Sequence, residues 1–153
     1  MMPANDPHDD MVAGLAPAYV PGVLSALVAA EIFASASPEQ AHAFYVAVGR
    51  RLAALAPVEH VNGIGDLCDA ANRLWAAMGW GRVEMDTQGE GIVLRHRRLP
   101  PTMPENEEHW GEMIAALLQG AYDAWFRVLG SPEQLVTRVI SQTESAIEFR
   151  HGL

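Results

Sequence analysis

AAMGWGRVEMDTQGEGIVLRHRRLPP, residues Ala76–Pro101, joins the end of a helix to two strands and their exit, and its reading decides the fold. Gly79 follows an apolar helical pattern and suits the left-handed position just past a helix C-terminus, which glycine adopts without a Cβ clash. From Gly81 to Asp86, Val83 and Met85 alternate with Arg82, Glu84 and Asp86, the two-residue period of a strand with one face in a core and one in water. Thr87–Gly91 reads as the turn. Alternation resumes from Ile92 to Arg97, with Ile92, Leu94 and His96 set against Val93, Arg95 and Arg97, until Pro100 and Pro101 end the ladder for want of a backbone donor.

Working back from this unit, three helices are expected. Val20 to Ala34 places Val23, Leu24, Leu27, Val28 and Ile32 on one face, with Ser25 and Glu31 away from it. Ser37-Pro38-Glu39-Gln40 reads as an N-cap serine, a proline at the first helical position and a glutamine that closes a capping box. The helix it opens carries the stripe Ala41, Phe44, Tyr45, Val48, Leu52 and Leu55 and stops by Pro57. A third runs from about Glu59 to Met78 through Ile64, Leu67, Cys68, Ala71, Leu74 and Trp75, with Gly63 and Gly65 weakening its start.

Working forward, Pro101 to Glu108 is an acidic loop. Trp110, Met113, Ile114, Leu117, Leu118, Ala121, Tyr122 and Trp125 then make a broad stripe on a helix from about Glu107 to Leu129, capped by Gly130. Leu135–Ser141 and Ser145–Arg150 form a second hairpin through Gln142-Thr143-Glu144. The expected class is α+β: three N-terminal helices, a β-hairpin, a long helix and a C-terminal β-hairpin, with four antiparallel strands in all. Neither hairpin is stable alone, so the two join in one sheet or pack on the helices. Residues 1–18, rich in Pro, Ala and Asp without a sustained period, read as a flexible arm to a single domain over 19–153.

Three pieces of this sequence also carry a family resemblance: Met78-Gly79-Trp80-Gly81-Arg82-Val83-Glu84, the strand Ile92–His96 with its exit Leu99-Pro100, and the helix Trp110–Phe126 with Leu118-Gln119-Gly120-Ala121-Tyr122-Asp123-Ala124-Trp125-Phe126. Together with length and element order, over roughly residues 20–153, they resemble the D subunit encoded in bacterial cellulose synthase operons. The resemblance implies a non-catalytic accessory of cellulose biosynthesis, without cofactor. It implies a ring-like homo-octamer built from dimers, which organises export and crystallisation of β-1,4-glucan chains. The implied partners are the cellulose synthase complex and a small accessory protein of the same operon.

Composition narrows the alternatives. Nineteen acids against ten basic residues, all of them arginine, give a formal net charge of -9, a surface that repels phosphate backbones and anionic lipid. Nucleic acid and direct membrane insertion are therefore not expected partners. The apolar run Val20–Ala30 is interrupted by Pro21 and Ser25, is too short to span a bilayer, and follows Asp6, Asp9 and Asp10 where a secretory leader carries positive charge. This reading places the chain in the cytoplasm, with the periplasm as the alternative. The single cysteine, Cys68, lies on an apolar helical face and is expected as a buried thiol.

Chemistry is sparse. The six histidines are dispersed without metal-ligand spacing, and no metal site is expected. Glu84 and Asp86, two apart on one strand face, have the separation of a glycosidase carboxylate pair, about 5–9 Å. The plainer reading pairs them across the hairpin with Arg95 or Arg97. Trp75, Trp110, Tyr122 and Trp125 lie on packing stripes, Trp80 at a helix-strand corner reads as a wedge, and Tyr19, beside Pro17 and Pro21, is left as the candidate glucan contact. A scaffold subunit is the first reading; a glycan hydrolase using Glu84 and Asp86, and a small-ligand sensor with a pocket between sheet and helices, are the alternatives.

Overall fold

The computed structural model describes the backbone from Tyr19 to Leu153 and the side chains from Gly22 onward. The expected arm over 1–18 and the Tyr19 side chain lie outside the described residues. Among the described residues, four α-helices and four strands follow in the expected order: α1 (Tyr19–Ser35), α2 (Pro38–Ala53), α3 (Ile64–Met78), β1 (Arg82–Gln88), β2 (Gly91–Arg97), α4 (Trp110–Val128), β3 (Val136–Gln142) and β4 (Ala146–Gly152). A 3-10 turn, Pro104–Asn106, interrupts the acidic loop before α4.

The two hairpins join into one antiparallel sheet in the order β1-β2-β4-β3. Register is set by the alternation: Val83 opposes His96, which opposes Ile147, and Leu94 opposes Phe149, so that one face carries the buried side chains. The first turn is tighter than expected. Gln88 pairs with Gly91, leaving only Gly89-Glu90 in the loop, and Gly89 supplies the positive φ of 61° that a two-residue hairpin requires at its first central position. In β3 a bulge at Ile140 breaks the ladder between Val139 and Ser141.

Both glycine caps stand where the sequence placed them. At Gly79 (φ 68°, ψ 31°) the Trp80 amide donates to the Trp75 carbonyl and the Gly79 amide to Ala76; Ser131 and Gly130 repeat the pattern onto Phe126 and Arg127 at the end of α4. The capping box at Ser37 is complete, with Gln40 N donating to Ser37 Oγ at 3.1 Å and Ser37 N to Gln40 Oε1 at 2.9 Å.

Helix α4 forms the centre, with α2 packed along one side and the sheet's apolar face on another. The α2–α4 crossing is unusually close because two glycines meet it. A Cβ on Gly49 would stand 2.0 Å from the Leu117 carbonyl oxygen, and one on Gly120 would stand 2.0 Å from that of Val46. The face of α2 is thus Ala41, Tyr45, Gly49 and Ala53; Phe44 and Leu55, expected inside, are exposed. Trp75 lies in an aromatic centre with Trp80 stacked at 6.3 Å and His96, Tyr122 and Trp125 edge-on at 5.3, 5.9 and 5.6 Å.

Other boundaries shift as well. α3 begins at Ile64 and not near Glu59, because Gly63 adopts φ 89° and the Asp66 carboxylate accepts the Asn62 amide ahead of the first turn. α4 begins at Trp110 and ends at Val128, and β4 runs on to Gly152 so that His151 is a strand residue. Cys68 is half-buried, its thiol donating to the Val83 carbonyl at 3.3 Å, and burial raises its pKa. On the same edge, Asn72 holds β1 with two bonds, Nδ2 to Val83 O at 2.9 Å and Val83 N to Oδ1 at 2.8 Å, an amide standing in for a fifth strand.

The largest departure is α1. Its buried residues are Ala26 and Ala29, with Ile32 and Phe33 partly covered, while Leu24, Leu27 and Val28 are 64, 51 and 46 % exposed. Described side chains of α1 carry one charge, Glu31, so apolar residues surround nearly the whole helix and periodicity alone does not choose a side. The small alanines permit close approach to the body, and the large side chains are left outside.

Candidate functional site

The carboxylates singled out for hydrolysis are engaged by arginine. Asp86 Oδ2 lies 3.0 Å from Arg95 Nη1, and Glu84 Oε2 lies 3.9 Å from Arg97 Nη1, both acids more than half exposed on the outer face of the sheet. At 62 and 56 % exposure, Asp86 and Glu84 are not desolvated as a general acid must be. Cross-strand pairing is their role.

The buried histidines make two polar assemblies that periodicity did not reveal. His96 is wholly buried; its Nε2–H donates to the Trp80 carbonyl at 2.6 Å, which leaves Nδ1 to accept the Tyr122 hydroxyl at 2.5 Å. Burial lowers its pKa from 6.5 to about 4, with the Trp80 carbonyl opposing, so the ring is neutral at pH 7. His151 stacks on Phe126 at 4.2 Å, with Nδ1 2.9 Å from Thr137 Oγ1 and Nε2 2.6 Å from Ser131 Oγ. Thr137 in turn donates to Asp123 at 3.3 Å, so His151 Nδ1 donates to threonine and Nε2 accepts the serine proton.

Aspartate, histidine and serine connected in this way invite comparison with an activated nucleophile. The surroundings have the wrong polarity. Ser131 sits just beyond the C-terminus of α4, the negative end of the helix dipole, and its own amide is committed to the Phe126 carbonyl, so no donors converge where an oxyanion would form. Arg127 fixes the same loop by donating to the Ser131, Pro132 and Leu135 carbonyls at 3.2, 2.6 and 2.5 Å. This network ties the α4–β3 connection to the sheet. It borders a cleft of about 410 Å³ lined also by Leu67, Ile92 and Leu135.

A different surface stands out. Leu24 and Val28 of α1 continue into Phe44, Val48 and Leu52 of α2 and Trp80 beyond α3, around a groove of about 760 Å³ bounded by Pro100 and Met103. Phe44 is 44 % exposed, and among the described residues no charged side chain lines the groove. Isolated exposed leucines are ordinary, but a contiguous apolar strip of this kind marks an interaction surface. Trp75, Trp110, Tyr122 and Trp125 are buried as expected, and the Trp125 indole donates to the Ala53 and Ala56 carbonyls at the end of α2. Trp80 wedges between α3 and β1 and stays half-buried. Among the described residues no group of three or more His, Cys, Asp or Glu side chains is placed to hold a metal, and no helix is long and apolar enough to cross a membrane.

Ion-paired carboxylates, histidines locked into packing and a broad uncharged groove fit an accessory protein better than a hydrolase. The family model for the D subunit of cellulose synthase matches residues 15–152, and the chain belongs to that family. It is a non-catalytic accessory of bacterial cellulose biosynthesis, associated with the cellulose synthase complex. No curated protein matches the chain.

Proposed function

We propose that this protein pairs through the α1–α2 face, that the pairs build a ring-like homo-octamer, and that the ring organises export and crystallisation of β-1,4-glucan chains delivered by the synthase. The observation that carries the reading is the stripe Leu24, Leu27 and Val28 with Phe44: large, apolar, exposed in the single chain and free of charge. Burying such side chains against copies of themselves contributes roughly 1.5–3 kcal/mol each when complete, and an uncharged stripe is self-complementary as a two-fold contact demands.

The arm over 1–18, with Tyr19 as the candidate glucan contact, serves the passage of polymer, and the 19–153 domain serves the ring. A small accessory protein of the same operon completes the assembly, which acts as a cytoplasmic scaffold aligning synthase complexes; the periplasm is the alternative compartment. Light scattering of the purified chain tests the reading. It predicts a particle near eight times the 16.6 kDa chain mass, and Leu27→Asp should break the two-fold contact and lower that mass while circular dichroism is unchanged. A wild-type protein that stays a single chain at micromolar concentration refutes the ring.

A further inference from the structure

Among the described residues, helices cover one face of the sheet and leave the other open. Its outward rows are Arg82 with Arg97, then Glu84, Arg95 and Glu148, then Asp86, Val93, Arg150 and Arg138. Five of the chain's ten basic residues therefore share one face with three carboxylates, in a protein with nineteen acids. Those three acids are already taken: Arg95 holds Asp86 and Glu148 at 3.0 and 3.3 Å, and Arg97 faces Glu84. Arg82 and Arg138, exposed at the two edges, have no carboxylate partner among the described residues, and Arg150 reaches only the Gln88 carbonyl at 3.4 Å.

The opposite charge is concentrated elsewhere. Glu105, Glu107, Glu108 and Glu112 fall within eight residues that contain no arginine, on the 3-10 turn, the turn that follows it and the first turn of α4. His109 sits among them, 3.7 Å from Glu108 and 3.9 Å from Glu112, with its ring stacked on Phe33. The segment is fixed on the helical side of the molecule, where Gln142 Nε2 donates to the Gly111 carbonyl and α1 packs over Asn106 and His109. One copy cannot bring it round to its own outer sheet face.

We propose that the outer sheet face is a second assembly contact, which receives the acidic segment 105–112 of a neighbouring copy. The inference rests on the self-assembly reading above and adds a different kind of joint to it. A contact between two unlike patches is head-to-tail, and head-to-tail contacts generate rings when the rotation closes. Combined with the two-fold apolar seam on α1 and α2, it turns pairs into a closed ring. A long polyanion suits the face less well, because every part of it beyond the arginines meets a chain of net charge -9. Net repulsion between copies is screened beyond about 8 Å at physiological salt, so the local match of arginine to glutamate decides the orientation.

The test is sedimentation velocity on the full chain at one concentration, with circular dichroism as the folding control. Arg82→Glu combined with Arg138→Glu should stop assembly at the two-chain particle, and adding Glu107→Arg with Glu108→Arg should restore the full one. High salt should likewise reduce wild type to two chains. If the double variant keeps wild-type mass, or the fourfold variant folds and stays at two chains, the contact is overturned. Retention on a sulfated-polysaccharide column that is lost in the double variant, with particle mass unchanged, assigns the face to a polyanion and also overturns it. A single-chain wild type defeats the apolar seam and this contact together, whereas a full particle indifferent to these substitutions defeats this contact alone.

Discussion

Gly120→Ala should destabilise the domain even though alanine is the better helix former. The added Cβ would lie 2.0 Å from the Val46 carbonyl oxygen and 2.8 Å from its carbon, both backbone atoms that no rotamer change can move. Relief requires α2 to retreat by more than 1 Å at its closest point, where Gly49 and Ala53 also touch α4. Overpacking of this kind costs about 1–3 kcal/mol, and a backbone clash belongs at the upper end. The gain in helix propensity returns about 1 kcal/mol. A net loss of roughly 2 kcal/mol should lower the melting temperature by about 4–8 °C for a chain of this size. Thermal unfolding followed by circular dichroism, at fixed protein concentration, reads the shift. Gly65→Ala supplies the contrast, since nothing lies within 4 Å of its would-be Cβ, and it should be neutral or more stable by up to about 1 kcal/mol. An unchanged or raised melting temperature for Gly120→Ala would show that the crossing is not set by glycine contact.

Acid should weaken the fold through its buried histidines. His96 titrates near 4 when folded and near 6.5 when unfolded, so the unfolded chain binds the extra proton between those values; its contribution is complete above pH 6.5 and declines by on the order of 3 kcal/mol as pH falls towards 4. His151, also lowered by burial, acts in the same direction, and His96→Gln should flatten the pH dependence of denaturant midpoints; an equal slope in the variant would rule out His96 as the source. Arg127→Met removes three carbonyl contacts and should cost about 2 kcal/mol while amide exchange quickens across residues 129–136, an effect absent if the loop is held by packing alone. Glu84→Gln with Asp86→Asn should change stability by no more than about 0.5 kcal/mol and leave cellulose yield in a producing strain unaltered; cello-oligosaccharide cleavage by wild type, abolished in this variant, would restore the hydrolase.

Much of this architecture is legible where one residue answers one geometric demand. Gly79 and Gly130 end their helices, Ser37 opens α2, and the alternation through Val83, Leu94 and His96 gives a strand face and its register. Pairing of Glu84 and Asp86 with arginine is readable for the same reason, since opposite charges alternate on facing strands. α1 is illegible because its sequence is apolar around the circumference, and its orientation is chosen by the fit of Ala26 and Ala29 against the body. Gly49 and Gly120 carry no periodic signal; glycine inside a helical stripe reads as a weakness until a second helix is seen against it. The candidate interaction groove is hidden by the same ambiguity, because Leu24, Val28 and Phe44 repeat with the spacing of core positions. Polar pairings such as His96 with Tyr122 and His151 with Ser131 join residues 20 or more apart, which a local pattern does not connect.

The clasp between Asn72 and Val83 bears on the proposed assembly, which would gather many copies in a small space. A bare strand margin is a template onto which any other chain can zip, and crowding multiplies the opportunities. Here one margin is closed by a helix-borne amide and the other is bent out of line at Ile140, so growth of the sheet into a fibre is blocked at both ends. In the proposed assembly, copies are left to meet through faces, where stoichiometry is finite. Asn72→Leu should release that restraint, giving thioflavin-positive aggregates from concentrated protein that the parent chain does not form; a variant that stays clear would mean the margin is guarded by other means.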